Sequence, residues 1–254
     1  MNNKDLVLKR YVLKCLKLDN YKQNYMLTKK LPVYLNYALI GLLLSDGGLE
    51  KPTLNGNVRL SVNMSLVNLP YLFHLYNLFE PYINNDINFI DIKLNKDNKS
   101  FKNYSTVRFK TICMPQLLYY YNIFYKYNNI NNSVKKVVPL ELKSNFNGVS
   151  LAHLIMGDGN FSFDKSIIRI YTNSFTKDDV LFLSNVIYTN LNINNRVIYD
   201  RKDQYIIVIE KNNVKITQDL ILSYMHPSMY YKLGIKDDLI SDFKFNYEEV
   251  INLI

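Results

Sequence analysis

The chain has 254 residues, 48% hydrophobic and 21% charged, enough apolar material for a buried core and too much for global disorder. Its 31 lysines and arginines against 22 acids give a formal charge of +9, and the length admits two modest domains or one large one. Cys15 and Cys113 lack the spacing of a disulfide framework or zinc module, and the longest apolar run, Ala38 to Leu44, falls far short of a bilayer span, so no membrane partner is expected.

The first twenty residues mix acids with lysines and carry neither an apolar signal core nor an Arg/Ser-rich transit pattern, so no cleaved leader is expected. The chain holds 34 asparagines, 25 lysines and 22 tyrosines against 2 alanines and no tryptophan. That bias favours A/T-rich codons and suggests an organelle's genome.

In chain order, Pro32 opens an apolar helix ending Leu39-Ile40-Gly41-Leu42-Leu43-Leu44-Ser45-Asp46-Gly47. Asn57 to Val62 then alternates with the period of a half-buried strand, and a polar turn at Ser65 leads into a helical pattern from Leu69 to Tyr76. Strands are predicted over Asn88 to Leu94 and Ser105 to Lys110, and a helix over Met114 to Tyr125. The Asn-rich stretch Tyr127 to Asn132 and the polar run Lys143 to Gly148 bracket a boundary.

The series then repeats. Leu151-Ala152-His153-Leu154-Ile155-Met156-Gly157-Asp158-Gly159 matches the first apolar segment, with its aspartate 112 residues later. The alternating Ile167 to Thr172, the helical Asp178 to Leu183, the strands Arg196 to Tyr199 and Gln204 to Ile209, and the helix Val214 to Tyr224 follow in the same order. The pattern predicts an α+β fold of two αββαββα halves, residues 1–138 and 139–254, related by a pseudo-twofold axis.

A helix apolar on nearly all sides must be buried. The small residues Gly41, Ser45, Ala152 and Gly157 allow the two repeated helices to pack on one another, and Gly47, Gly48 and Gly159 are available as left-handed caps. Such a pair sets Asp46 and Asp158 side by side at two helix C-termini, where each costs roughly 0.3 to 1 kcal/mol before their mutual repulsion. A lone Asp-Gly is an ordinary turn; two in register call for a positive charge between them. A divalent cation, which prefers carboxylate and water oxygens, is the first candidate.

These residues carry a resemblance to the LAGLIDADG homing endonucleases of the single-chain, two-motif type. It runs from about Val33 to Ile235. Gly41 to Gly47 and Thr172-Asn173-Ser174-Phe175-Thr176 are similar to the organellar intron-encoded branch in particular. The resemblance implies paired central helices and two antiparallel sheets lying in successive major grooves of double-stranded DNA. It assigns Asp46 and Asp158 to the metal, Mg²⁺ with Mn²⁺ as a substitute, and to the scissile phosphates. Lys136, before Pro139, and Lys232, in Met229-Tyr230-Tyr231-Lys232-Leu233, match lysines that stabilise charge on the phosphate.

His153 stands where the motif has glycine and is read as a packing residue. The amide found before the strand-end serine is Asn173 in the second copy and Met64 in the first, so the half-sites are expected to order water differently.

A +9 chain suits a polyanion. Candidate DNA-contacting residues are Arg59, Asn63, Lys93, Arg108 and Lys110 in the first half, and Arg169, Asn173, Arg196, Arg201, Lys202 and Gln204 in the second. Arginine suits guanine, and asparagine or glutamine suits adenine. The resemblance therefore implies a mitochondrial, monomeric, metal-dependent endonuclease with a long, non-palindromic target. The alternative is a maturase binding its host intron RNA on the same scaffold; a regulatory protein that binds DNA without cutting is a further rival. His74, His153 and His226 share no spacing that suggests a histidine-based nuclease.

Overall fold

A computed structural model describes residues 30–92, 104–128 and 133–235. The first half opens with α1 (Val33–Leu43), capped by Pro32, followed by β1 (Gly47–Glu50), β2 (Arg59–Ser65), α2 (Leu69–Leu78), β3 (Asn88–Ile92), β4 (Tyr104–Lys110) and α3 (Gln116–Phe124). A hairpin of β5 (Tyr125–Asn128) and β6 (Ser133–Lys136) and a short helix α4 (Leu142–Asn145) lead to the second half. That half runs α5 (Gly148–Asp158), β7 (Gly159–Ser162), β8 (Ile167–Tyr171), α6 (Lys177–Leu191), β9 (Asn195–Arg201), β10 (Gln204–Ile209) and α7 (Lys211–Ile221), and ends in a 3₁₀ segment, Pro227–Leu233.

The two antiparallel sheets share one topology, β1-β2-β4-β3 and β7-β8-β10-β9. In the first, Leu60, Val62 and Met64 alternate inward on β2 and meet Val107 and Phe109 of β4, so one face packs on α2 through Leu69, Leu72 and Leu75. In the second, Ile168 and Ile170 pair with Ile209 and Ile207 in the same way, under Val180, Leu183, Val186 and Ile187 of α6. The spacing of those four places them on one helix stripe. A capping box of Thr176 and Asp179 starts α6, and Asn192 ends it in the left-handed conformation, φ 54°.

The motif helices α1 and α5 form the seam. Ser150 Oγ donates to Tyr37 O at 2.9 Å. A β-carbon on Gly41 would fall on Ser150 O and within 2.7 Å of His153 Cβ, and one on Gly157 would lie 2.5 Å from Ser45 Cβ. These contacts advance in step along both chains, so the helices run side by side in one direction and their C-termini coincide. The bulk of His153 does not prevent this, because Gly41 yields the space opposite it.

Several expectations need correction. Neither motif ends in a left-handed glycine: Gly159 is extended (φ −82°, ψ 154°), and among the described residues Gly234 is the one glycine with positive φ. Gly47 and Gly159 are required instead by crowding, since a β-carbon would meet Leu42 O at 2.8 Å and Ile155 O at 2.5 Å. Each thereby starts a strand, β1 or β7, directly from the motif. Part of the Asn-rich stretch read as bracketing the boundary, Tyr127 and Asn128, belongs to β5; so short and polar a strand pair has no apolar alternation to reveal it. Lys93, Leu94 and Cys15 lie outside the described residues.

Candidate active site and nucleic-acid face

Asp46, in the turn three residues past α1, and Asp158, the last residue of α5, share one half-buried site. A β-carbon on Gly157 would sit 3.3 Å from Asp46 Oδ2, which fixes the first carboxylate beside the residue preceding the second. Burial, then repulsion from Asp46, pushes the Asp158 carboxyl up to about 7, although Lys232 and Lys136 oppose the shift. Asp46 is raised as well, by burial, against the same two lysines.

Each lysine is held at the end of its own motif helix. Lys136, on β6, donates to Gly47 O at 2.7 Å and Ser45 O at 3.5 Å. Lys232, in the 3₁₀ segment, donates to Met156 O at 2.6 Å and also to Gly157 O. Both occupy the negative end of a helix dipole, where a cation is stabilised. Burial lowers both ammonium groups, and the attraction of the two aspartates offsets part of that.

The hairpin missed in the sequence delivers Lys136 to this place. Tyr125, opposite Lys136 in register, also accepts a hydrogen bond from Leu49 N at its hydroxyl, 2.8 Å, tying the hairpin to β1.

Two carboxylates, each destabilised in its charged form, make a donor set suited to a hard divalent cation, whose charge offsets both the burial and the repulsion. No cluster of three or more His, Cys, Asp or Glu side chains suited to a metal occurs among the described residues, so backbone, water or substrate oxygens would complete any coordination at the aspartate pair.

The register also locates the amides. Gly47 pairs with Val62 and Gly159 with Ile170, which sets Asp46 level with Asn63 and Asp158 level with Tyr171. Met64 is buried on the core face, whereas Asn63 is exposed on the outward face of β2. Asn173 lies in the turn beyond β8, its Oδ1 buried without a partner.

On the first sheet Arg59, Asn63, Arg108 and Lys110 all alternate away from the core, with Asn63 opposite Arg108 and Ser61 opposite Lys110. Arg59 Nε and Lys110 Nζ each donate to Glu50 Oε2 at 2.8 Å. Sequence reasoning missed Glu50, because the four residues of β1 are too few to mark a strand. Arg108 Nε is buried without a partner.

On the second sheet Arg169 faces outward between Asn160 and Val208, and Arg196 pairs with Glu210 at 2.8 Å. Arg201, 3.6 Å from Asp200, and Lys202 project at the tip of the β9–β10 hairpin. Lys202 and Asp203 both have positive φ, 42° and 60°, a turn that lysine adopts reluctantly. Gln204 stands opposite Arg201, with Oε1 buried and unpartnered.

The histidines do converge, contrary to expectation. His74 of α2 stacks on His153 of α5 at 6.5 Å between ring centroids and meets His226 at 5.2 Å. Pairing of the motif helices closes the long separations between them. Tyr71 Oη lies 3.0 Å from His153 Nδ1. Burial, then His74, lowers His153 to about 3 and His226 to about 4, and burial lowers His74, so the cluster packs as neutral rings.

Comparison with known proteins agrees with this architecture. The chain is 38% identical over 150 residues to an intron-encoded endonuclease, ai4, of Dictyostelium discoideum, covering 58% of this chain and 87% of that protein. It is 28% identical over 209 residues to the cytochrome b mRNA maturase bI2 of Saccharomyces cerevisiae, covering 80% of this chain and 48% of that protein. The solved structure of the homing endonuclease I-WcaI bound to its DNA recognition sequence shares the fold, with a TM-score of 0.74 at 22% identity over 87% of this chain and 94% of that one. The profile of the LAGLIDADG DNA endonuclease family matches residues 36–216, more than half of the sequence. The chain belongs to the LAGLIDADG DNA endonuclease family.

Proposed function

We propose that this chain is a site-specific endonuclease that cuts both strands of duplex DNA. The observation that carries the reading is the pairing of Asp46 and Asp158 at coincident helix ends, each near a lysine already bonded to the backbone. Asp46 and Asp158 hold the divalent cation, which on this reading is Mg²⁺ with Mn²⁺ as a substitute. When bound, such a cation supplies Lewis acidity at phosphate oxygen and lowers the pKa of water.

One aspartate serves each strand. Lys136 and Lys232 keep positive charge beside the scissile phosphates without reorganisation, because backbone carbonyls already fix their ammonium groups. Asn63, on the outward face of β2, and Asn173, in the turn beyond β8, offer amides to the ligand. The outward faces of the sheets bind the duplex through Arg59, Arg108, Lys110, Arg169 and Arg196, while Arg201, Lys202 and Gln204 at the hairpin tip reach farther along it.

The halves differ in sequence, so the target is long and not a strict palindrome. One chain supplies both aspartates, which supports a monomer. The named relatives and the codon bias support an organellar, mitochondrial gene.

The similarity to a maturase favours a second reading, assistance to splicing of a host intron RNA. The buried pair of aspartates favours the nuclease, because RNA binding has no evident use for them. Incubation with a library of randomised duplexes, followed by sequencing of cut ends, tests the choice. Cleavage at one preferred sequence with Mg²⁺ and none with EDTA is the expected result; absence of cutting together with promotion of intron splicing would reverse it.

A further inference from the structure

Glu50 is out of place on a surface that binds a polyanion. It lies on the outward face of β1, four residues after Asp46 and hence within about 14 Å of it along an extended strand. Its Oε2 accepts from Arg59 Nε on β2 and Lys110 Nζ on β4, both at 2.8 Å, so one carboxylate ties three strands together on the face opposite Leu49, Leu60 and Phe109. The ladder and the apolar face already hold those strands, and partly exposed ion pairs add little to stability. A surface selected for phosphate affinity alone would omit the carboxylate, which repels the ligand.

Order, not stability, is what the contact provides. With Nε engaged by Glu50, the guanidinium of Arg59 is fixed in its plane, and its two terminal nitrogens retain four N–H donors. Those are the donors that form a bidentate pair with guanine O6 and N7. Lys110 keeps further donors on its ammonium group beside them. The second sheet has no counterpart at this register: Ser162 faces Ile167 where Glu50 faces Arg59, and Val208 stands in the place of Lys110; its Arg196 is instead engaged at Nε by Glu210, which ties no third strand.

We propose that Glu50 is a positioning residue for specificity: by fixing Arg59 and Lys110 in one pose, it makes the first sheet select guanine at one or two adjacent base pairs of its half-site. The inference rests on the DNA-cleaving reading above.

Selection of bound duplexes from a randomised pool, with cutting arrested by EDTA, tests it on the full chain as wild type, Glu50→Gln and Glu210→Gln. Binding of a random-sequence duplex at several salt concentrations is measured alongside. The wild type is expected to prefer guanine within the first half-site, and Glu50→Gln to lose that preference about tenfold while keeping the second half-site intact, which also reports a folded protein. Glu50→Gln should bind random duplex more tightly, with a salt slope steeper by about 1. Glu210→Gln, which removes the acid that engages Arg196 of the other sheet, should leave the first half-site unchanged.

An unaltered guanine preference in Glu50→Gln, or equal loss at both half-sites, would overturn the role of Glu50 alone. A wild type that enriches no sequence would overturn the DNA reading together with it.

Discussion

The Asp46 carboxylate lies against Gly157, with 3.3 Å between Oδ2 and the point a β-carbon on that glycine would occupy. The smallest residue of the second motif thus makes room for the acid of the first, and the packing of the seam and the chemistry of the site share the same atoms. Gly157→Ala is expected to cost about 1–3 kcal/mol of stability by overpacking and to displace Asp46. Gly41→Ala should cost more than Gly157→Ala, because its β-carbon meets the backbone at Ser150 O instead of side chains alone. Urea denaturation of the two variants measures the order.

Asp46→Asn and Asp158→Asn should each reduce double-strand cutting by about 100-fold or more, while binding of the same duplex survives. Supercoiled plasmid carrying the selected target distinguishes nicked from linear product. Full-rate linearisation by either variant would remove that aspartate from the site.

Lys136→Met and Lys232→Met should also slow cleavage by about 10²–10³-fold, but their effects on folding should differ. Lys232 is 6% exposed and satisfies two carbonyls, so its loss strands buried acceptors at about 1–3 kcal/mol. Lys136 is less enclosed, and its replacement should destabilise less. Thermal melts of the two variants, read beside their cleavage rates, separate the roles.

Acid should weaken the fold through the histidines. Held at about 3 and 4 against 6.5 in the unfolded chain, His153 and His226 refuse protons that the unfolded state binds, so stability falls as pH drops below about 6.5. Asp158 has the opposite sign. Raised from 3.8 to about 7, it keeps a proton that the unfolded state releases, so its contribution declines as pH rises through that window. Asp158→Asn should therefore gain stability more steeply between about pH 4 and 6.5 than the wild type. Urea midpoints in EDTA test this, and an unchanged slope would contradict the buried position of the carboxylate.

Much of the fold was legible because it is written twice. The repeated apolar segments place the seam, and strand alternation at Asn57 to Val62 and Ile167 to Thr172 locates β2 and β8 to within a few residues. Strands β1 and β7 escaped notice because four residues opening on glycine show no period. The outward face was legible by alternation, but which cations are free to meet a ligand was not. That Glu50 already engages Arg59 and Lys110 depends on β1 and β4 flanking β2, an adjacency between residues 60 apart. Likewise, three scattered histidines meet only after α1 and α5 have packed.

The two sheets never share a strand; their halves meet along the helix pair and, beside it, where His74 of α2 packs on His153 and His226. Whatever one sheet reads can therefore be rewritten without touching the other, provided the seam residues are left alone. Halves taken from different proteins should be exchangeable across this joint, and the natural limit on such hybrids is the fit of Gly41 to its opposite helix, not the wording of either target.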